Sequence, residues 1–390
     1  MSTSRIPIRR ISAAALAGAT ALASVALGAA GAQADPAATV FGAGSADAVD
    51  GEYIVVMESE FAAMSGEYDA QVVDRFDSIN GYLTEMSAAE AAKVAADDAV
   101  AFVEQNRTVS VADVQNDPPS WGLDRVDQLD LPLDDAYEYL GDGSGVTAYI
   151  VDTGILASHD EFTGRVGEGY DFVDGDADPT DCNGHGTHVA GTVGGTNYGL
   201  AKEVTLVGVR VLDCSGNGTF AGVIDGIEWV GDNASGPSVA NMSLGGGYSA
   251  AVNAAVESAV DAGVVFAVAA GNETQNACNV SPASAAAAIT VGATDSGDAR
   301  AYFSNFGSCV DVFAPGVGIT SAWIGSDSAT NTISGTSMAS PHVAGAVAVY
   351  LSLNPGASTD DAADWVTGNA GSGKVSDPQG SPNLLLYTGQ

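Results

Sequence analysis

Basic residues are scarce in this chain: twelve lysines and arginines stand against 49 aspartates and glutamates, a formal charge of −37. A surface of that sign repels phosphates, which argues against nucleic acid and anionic membranes as partners and draws in cations and basic peptides. Taken alone the acids need be no more than a solvated surface; cation sites are the sharper reading. Cysteine is scarce as well. Cys182, Cys214, Cys278 and Cys309 are an even set with no C-x-x-C spacing, which in an exported chain reads as two disulfides rather than free thiols or a metal centre, with three pairings open. Histidine occurs four times, as His159, His185, His188 and His342. After the amino-terminal apolar run no second polar-flanked span follows, which argues against a membrane anchor.

What is present bounds the answer further. The chain has 390 residues, 46% of them hydrophobic and 16% charged, enough to bury one large core, or one large and one small. Arg5, Arg9 and Arg10 precede an apolar run from Ile11 to Ala30, and Ala32-Gln33-Ala34 then meets an acid. These zones read as a secretory signal peptide over residues 1–34. The mature protein is expected to be secreted, extracellular, free of the membrane after signal cleavage, and monomeric.

Downstream, Glu52 to Val56 alternates like a short strand, Ala88 to Ala96 suits a helix and Val100 to Val111 returns to a strand-like pattern, together a small α+β unit over residues 35–115. Gln115-Asn116-Asp117-Pro118-Pro119-Ser120 reads as an exposed linker. From 116 to 390, apolar runs at Val146 to Val151, Val204 to Leu212, Val239 to Leu244, Val264 to Ala270 and Ala288 to Val291 alternate with helix-compatible stretches. Apolar runs of this kind are strands covered by helices on both faces, so the expected fold class is α/β, a three-layer sandwich around a mostly parallel sheet. Ligands in such folds sit outside the carboxyl ends of the strands.

Four residues fall where chemistry would be done. Asp152 follows the strand-like run that ends in Val151, where an acid can meet a histidine. His185 lies in Asn183-Gly184-His185-Gly186-Thr187-His188-Val189-Ala190-Gly191, whose small residues allow close packing at a helix start. His188, about one turn on, reads as a packed structural residue, and His159 and His342 lack comparable surroundings. Ser337, in Gly335-Thr336-Ser337-Met338-Ala339-Ser340-Pro341-His342, leads into an apolar helix that could present both a hydroxyl and a backbone N–H. Asn272 closes the run from Val264 to Gly271, and its amide can donate to an oxyanion. Singly, each could be a cap or turn residue.

Jointly they are specific. Asp152, His185, Asn272 and Ser337, in that order and within Val151-Asp152-Thr153-Gly154-Ile155, the histidine motif, Asn241-Met242-Ser243-Leu244-Gly245-Gly246 and the serine motif, resemble the subtilisin-like serine peptidases, in particular the proteinase K and aqualysin branch. The resemblance runs from about Trp121 to Tyr387, and the upstream unit is similar to the family's inhibitory propeptide. It implies a broad-specificity endopeptidase that acts on proteins and peptides and processes its own proenzyme. Ser337 would be the nucleophile, His185 the general base and Asp152 its orienter, with Asn272 and the Ser337 N–H as oxyanion donors. Substrate backbone would pair with Ser243, Leu244 and Gly245. Ala269, Ala270 and Gly271 would wall an S1 pocket for aromatic or large aliphatic side chains, with Glu273 at its rim.

The resemblance further implies the pairings Cys182–Cys214 and Cys278–Cys309. It implies structural calcium, at Asp124, Asp127, Gln128 and Asp134, at Asp311 with the carbonyls of Ala286 and Ala288, and more weakly at Asp171 and Asp176; no organic cofactor is expected. The propeptide would act as an intramolecular inhibitor, and no carboxyl-terminal pro-segment is expected. Two rival readings, a catalytically dead binding protein on the same fold and a narrow processing protease, receive no support from the motifs.

Overall fold

The structure, a computed structural model, describes residues 40–43, 48–58, 71–97, 99–107 and 113–389. The signal peptide read at residues 1–34 lies outside them. The small upstream unit is a five-stranded sheet in the order Val40–Phe41, Val100–Arg107, Ala48–Met57, Gly81–Glu85, Gln71–Phe76. Its helix, Ala88–Ala95, starts at a capping box in which Ser87 and Glu90 satisfy each other's backbone N–H groups. Ala91 and Val94 of that helix pack on Tyr53, Val55 and Val103 of the sheet, giving the α+β unit a core of its own.

The larger unit is built on nine strands in the order Gly371–Ser372, Leu384–Leu385, Val312–Pro315, Ile289–Thr294, Val264–Ala269, Ser238–Met242, Thr147–Asp152, Thr205–Arg210, Tyr170–Asp171. Every pairing is parallel except the one between the first two. Side chains alternate between the two faces with the period of a strand. Ala148 and Ile150 join the core under the helices His185–Gly194 and Thr336–Leu353. Tyr149 and Val151 join the other core, under the helices Phe220–Asn233 and Ala250–Asp261. Both faces are thereby covered, which is why these strands are apolar throughout and why the molecule has three layers.

Thr147–Asp152 pairs with Thr205–Arg210 on one side and with Ser238–Met242 on the other. The direction of winding reverses here, and the loops that leave the carboxyl ends of these strands splay apart to open a crevice. Asp152 and Ser243 lie at that edge, and Asn272 follows the next strand, Val264–Ala269.

The polar stretch read as a linker is structured in part. Asp113–Asn116 is a strand paired antiparallel with Ala136–Tyr139. The Gln115 amide donates to Asn197 O at 2.9 Å and its oxygen accepts from Lys202 Nζ at 2.6 Å. Lys202 is buried over the Tyr137 and Tyr139 rings, 5.4 and 5.5 Å from their centroids. These four residues therefore belong with the larger unit.

The cysteines pair as Cys182–Cys214 and Cys278–Cys309, across 32 and 31 residues of sequence. The first joins the loop before His185 to the end of the strand Thr205–Arg210; the second joins the segment after Asn272 to the start of Val312–Pro315. Closing loops of this length restricts the unfolded chain by about 3–4 kcal/mol each. Replacing either pair by alanine should lower the calorimetric melting temperature by several degrees. An unchanged melting temperature would show that the bridge contributes nothing.

Candidate active site

Asp152 ends a strand buried on both faces and is itself fully buried. Its Oδ1 accepts from Thr153 N at 2.8 Å and lies 2.7 Å from His185 Nδ1, while Oδ2 is buried without a hydrogen-bond partner. His185 is the first residue of the helix His185–Gly194 and leaves a quarter of its side chain exposed. The turn into that helix requires Gly184: its φ is +108°, and a Cβ there would run into the Trp323 ring.

A second acid lies behind the pair. The buried Asp181 carboxylate accepts from Asn183 N, Gly184 N and Thr187 N at 2.8–2.9 Å, from the Thr187 hydroxyl at 2.6 Å and from the Thr153 hydroxyl at 2.9 Å. It thereby caps the amino end of the histidine helix and fastens that end to the loop beside Asp152. Burial alone would push the His185 imidazole down. The Asp152 charge and hydrogen bond, with Asp181 behind them, outweigh it and hold His185 above the ordinary 6.5.

The other histidines serve the fold. His188 Nε2 meets Ile319 O at 3.1 Å, His342 Nδ1 meets Met338 O at 2.8 Å, and burial pushes both down to about 4. His159 Nε2 meets Ala329 O at 2.8 Å.

Ser337, half-buried, is the second residue of the helix Thr336–Leu353. Its hydroxyl donates to Ser243 O at 3.1 Å rather than to His185; contacts between nucleophile and base commonly tighten only once substrate is bound. The helix start is tied to the neighbouring strand: Ser243 Oγ donates to Ser337 O at 2.7 Å, Asn241 Nδ2 to Ser243 Oγ at 2.9 Å, and Ser340 Oγ to Asn241 Oδ1 at 2.8 Å.

Asn272 faces the same helix start. Its Oδ1 accepts from Thr336 N at 2.8 Å and Thr336 Oγ1 at 3.0 Å, which turns its NH₂ group outward. A methyl group built on Gly335 would lie 3.6 Å from Ser337 N and 3.7 Å from Asn272 Nδ2. The two nitrogens thus border one small space beside Gly335.

A cavity of about 480 Å³ is lined by His185, Ser243, Leu244 and Gly245 together with Leu212, residues 215–220 and Val223. The Ser215–Phe220 segment was not singled out from sequence; its one signal is Gly216-Asn217-Gly218 followed by an exposed Phe220. Ala269 and Ala270 are buried and do not line this cavity, nor does Gly271. Glu273 is exposed, and its carboxylate accepts from Asn305 Nδ2 at 2.8 Å.

Among the described residues no three His, Cys, Asp or Glu side chains converge as a metal centre would need, so a cation would depend on mixed carboxylate and carbonyl ligands. The Asp124 loop fits one in part. Asp127 Oδ1 is buried with no hydrogen-bond partner, and burial, with Asp124 and Asp134 nearby, pushes Asp127 up to about 7. Asp124 accepts from the Asp134 and Asp135 amides, Asp134 accepts from Ala136 N, and the Gln128 amide donates to Asp130 O and Pro132 O. Asp311 is half-buried and accepts from Thr290 N at 2.8 Å; Ala288 is buried and Ala286 exposed. The Asp171 carboxylate pairs with Arg210 and accepts from Val173 N and Asp174 N, while Asp176 is exposed and accepts from Asp178 N.

Residues 143–382 match the profile of the subtilase family, and residues 55–112 that of the peptidase inhibitor I9 family. The chain is 55% identical over 331 residues to an alkaline serine exoprotease A of Vibrio alginolyticus, covering 83% of this chain and 62% of that protein. It is 54% identical over 312 residues to an extracellular serine proteinase of Thermus sp. (strain Rt41A), covering 80% and 76%. A cuticle-degrading serine protease of Arthrobotrys oligospora is 42% identical over 390 residues, covering 91% and 95%. The crystal structure of a cold adapted subtilisin-like serine proteinase superposes with a TM-score of 0.68 at 58% identity, over 69% of this chain and 97% of its own. The fold and the site define the class, a subtilisin-like serine peptidase. The chain belongs to the subtilase family and carries the I9 inhibitor unit ahead of the peptidase unit.

Because His185 is held above 6.5, kcat/KM should rise with pH through an apparent pKa above that value. Asp152→Asn should move this limb to lower pH and reduce turnover by about 10⁴, the loss typical of Asp-His-Ser triads. An unshifted limb in the variant would separate Asp152 from the titration.

Proposed function

We propose that the chain is the precursor of a secreted serine endopeptidase of broad specificity, with Asp152, His185 and Ser337 as its triad. The observation that carries this reading is the 2.7 Å contact between buried Asp152 and His185 at the open edge of the sheet, beside the helix start that bears Ser337. His185 takes the Ser337 proton as the hydroxyl attacks a peptide carbonyl, and Asp152 fixes the tautomer and stabilises the imidazolium. The oxyanion settles between Ser337 N–H and Asn272 Nδ2. His185 then protonates the leaving amine, and water repeats the sequence to release the acyl group.

Substrate backbone lies along Ser243, Leu244 and Gly245 as an added strand, which makes recognition largely independent of side chains. Ala269, Ala270 and Gly271 back the S1 pocket, which prefers aromatic or large aliphatic side chains, and Glu273 at its rim admits some basic ones. Protein substrates and secretion agree with the names of the Thermus and Arthrobotrys relatives and with the absence, among the described residues, of a helix able to cross a membrane. Residues 1–34 are the proposed signal peptide. The upstream unit inhibits the enzyme until it cuts itself free, at a junction placed before Asp113, because the strand Asp113–Asn116 stays paired with Ala136–Tyr139.

Calcium is the proposed structural cation at Asp124, Asp127, Gln128 and Asp134, with a second ion at Asp311 and the carbonyls of Ala286 and Ala288. Bound there, it would neutralise buried carboxylates that otherwise repel one another.

Two experiments test this account. The secreted protein should hydrolyse casein and succinyl-Ala-Ala-Pro-Phe anilide, lose both activities to a fluorophosphonate, and carry the label on Ser337. Matured protein with neither turnover nor label would overturn the peptidase reading. Calorimetry before and after chelation should show a fall in melting temperature, of about 2.7 kcal/mol in stability if free calcium had stood at 100 times Kd. Asp127→Asn should reduce that fall, and an unchanged transition after chelation would remove calcium from the account.

A further inference from the structure

Asn272 projects from a segment whose backbone cannot hold its shape unaided. Gly271 takes φ +98°, which glycine adopts freely, but Thr274 has φ +54°, a conformation that in a β-branched residue persists only where the surroundings over-determine it. The surroundings are residues 302–309, against which the segment is laid. Thr274 N donates to Phe303 O at 3.0 Å and its hydroxyl to Tyr302 O at 2.9 Å. Asn305 N donates to Gly271 O at 2.9 Å, Phe306 N to Gln275 O at 3.0 Å and Ala277 N to Phe306 O at 2.8 Å. The Cys278–Cys309 bridge closes the far end.

One side chain in this backing reaches across. Asn305 is fully buried. Its Nδ2 donates to Ala270 O and to the Glu273 carboxylate, both at 2.8 Å, and its Oδ1 accepts from Glu273 N at 3.1 Å and Gln275 N at 3.0 Å. A carboxamide has two donors and two acceptor sites, and all four are spent on residues that flank Asn272 on either side. Asn305 also packs where a side chain at 271 would have to be, so the glycine there and the asparagine form one fitted unit.

We propose that Asn305 is a positioning residue for the oxyanion donor: it fixes the loop from which Asn272 projects, while Thr336 fixes the rotation of the Asn272 amide. This rests on the reading of Asn272 as an oxyanion donor. A donor displaced by a fraction of an ångström loses much of its advantage in the transition state while substrate binding in the ground state changes little. Asn305→Ala should therefore lower kcat about 10- to 100-fold with KM changed less than about threefold.

The test is a cycle of Asn272→Ala, Asn305→Ala and the double variant, with kcat expressed per active site titrated by fluorophosphonate. Asn272→Ala should cost about 100- to 1,000-fold; if it costs little, the oxyanion reading fails, and the Asn305 proposal with it. Given that loss, Asn305→Ala should cost at least about tenfold alone but less than about twofold in the Asn272→Ala background, because a residue acting through Asn272 has nothing left to position. Equal losses in both backgrounds would make Asn305 a general support of the fold, and full turnover in the single variant would make it dispensable; either result overturns the proposal. If Asn305→Ala yields no folded enzyme, Asn305→Asp takes its place under the same criteria, since it keeps the shape and acceptors and loses both donors.

Discussion

The contact between the Asp152 carboxylate and the His185 ring is the interaction on which the rest depends. A carboxylate with no exposure is costly unless something repays its lost hydration. Here Thr153 N–H and the imidazole do so at one oxygen, leaving the other without a partner. An aspartate so placed favours a proton on the imidazole, which is the state a general base must reach as it takes up the serine proton. The fold supplies both halves from separate places: a strand end for the acid, and a helix start braced by Asp181 for the base.

The acidity of the chain sharpens that constraint. Beyond Asp113 there are six basic residues, Arg125, Arg165, Lys202, Arg210, Arg300 and Lys374, and all but Lys374 are spent on internal structure. Arg125 is buried in a two-pronged pair with Asp298, at 2.7 and 3.0 Å, and donates to Gln128 O beside the proposed calcium loop. Arg165 donates to Gly194 O and Glu161 O, at 2.6 and 2.7 Å, behind the histidine helix. Arg210 joins Asp171 to Asp174, Arg300 holds Ser304 O next to Asn305, and Lys374 meets Asp130. The remaining charged surface beyond Asp113 is left to acids.

Much of this was legible before any coordinates. Buried parallel strands announce themselves as apolar runs, and the runs from Val146, Val204, Val239, Val264 and Ala288 correspond to strands that differ from them by only a few residues at either end. The residues singled out by motif, Asp152, His185, Asn272 and Ser337, sit at one edge of the sheet because the motifs begin where strands end or helices start. Where the reading missed, tertiary contacts decide. Asp113–Asn116 is polar and too short to show alternation, and it becomes a strand because Ala136–Tyr139 and Lys202 receive it. The pairing of Asp171 with Arg210, 39 residues away, is likewise not announced by the sequence. Asn305 and Asp181 belong to no periodic pattern; what they do is visible only in the hydrogen bonds they collect.

The central claim is that Asp152 holds His185 in readiness to accept a proton, and nitrogen-15 NMR of the imidazoles in a Ser337→Ala enzyme whose upstream unit has been removed by added wild-type enzyme tests it most directly. The His185 ring should titrate above 6.5 and lose that elevation in Asp152→Asn, while His188 and His342 stay neutral until about pH 4. A His185 ring that titrates at or below 6.5, or that is indifferent to Asp152→Asn, would contradict the account.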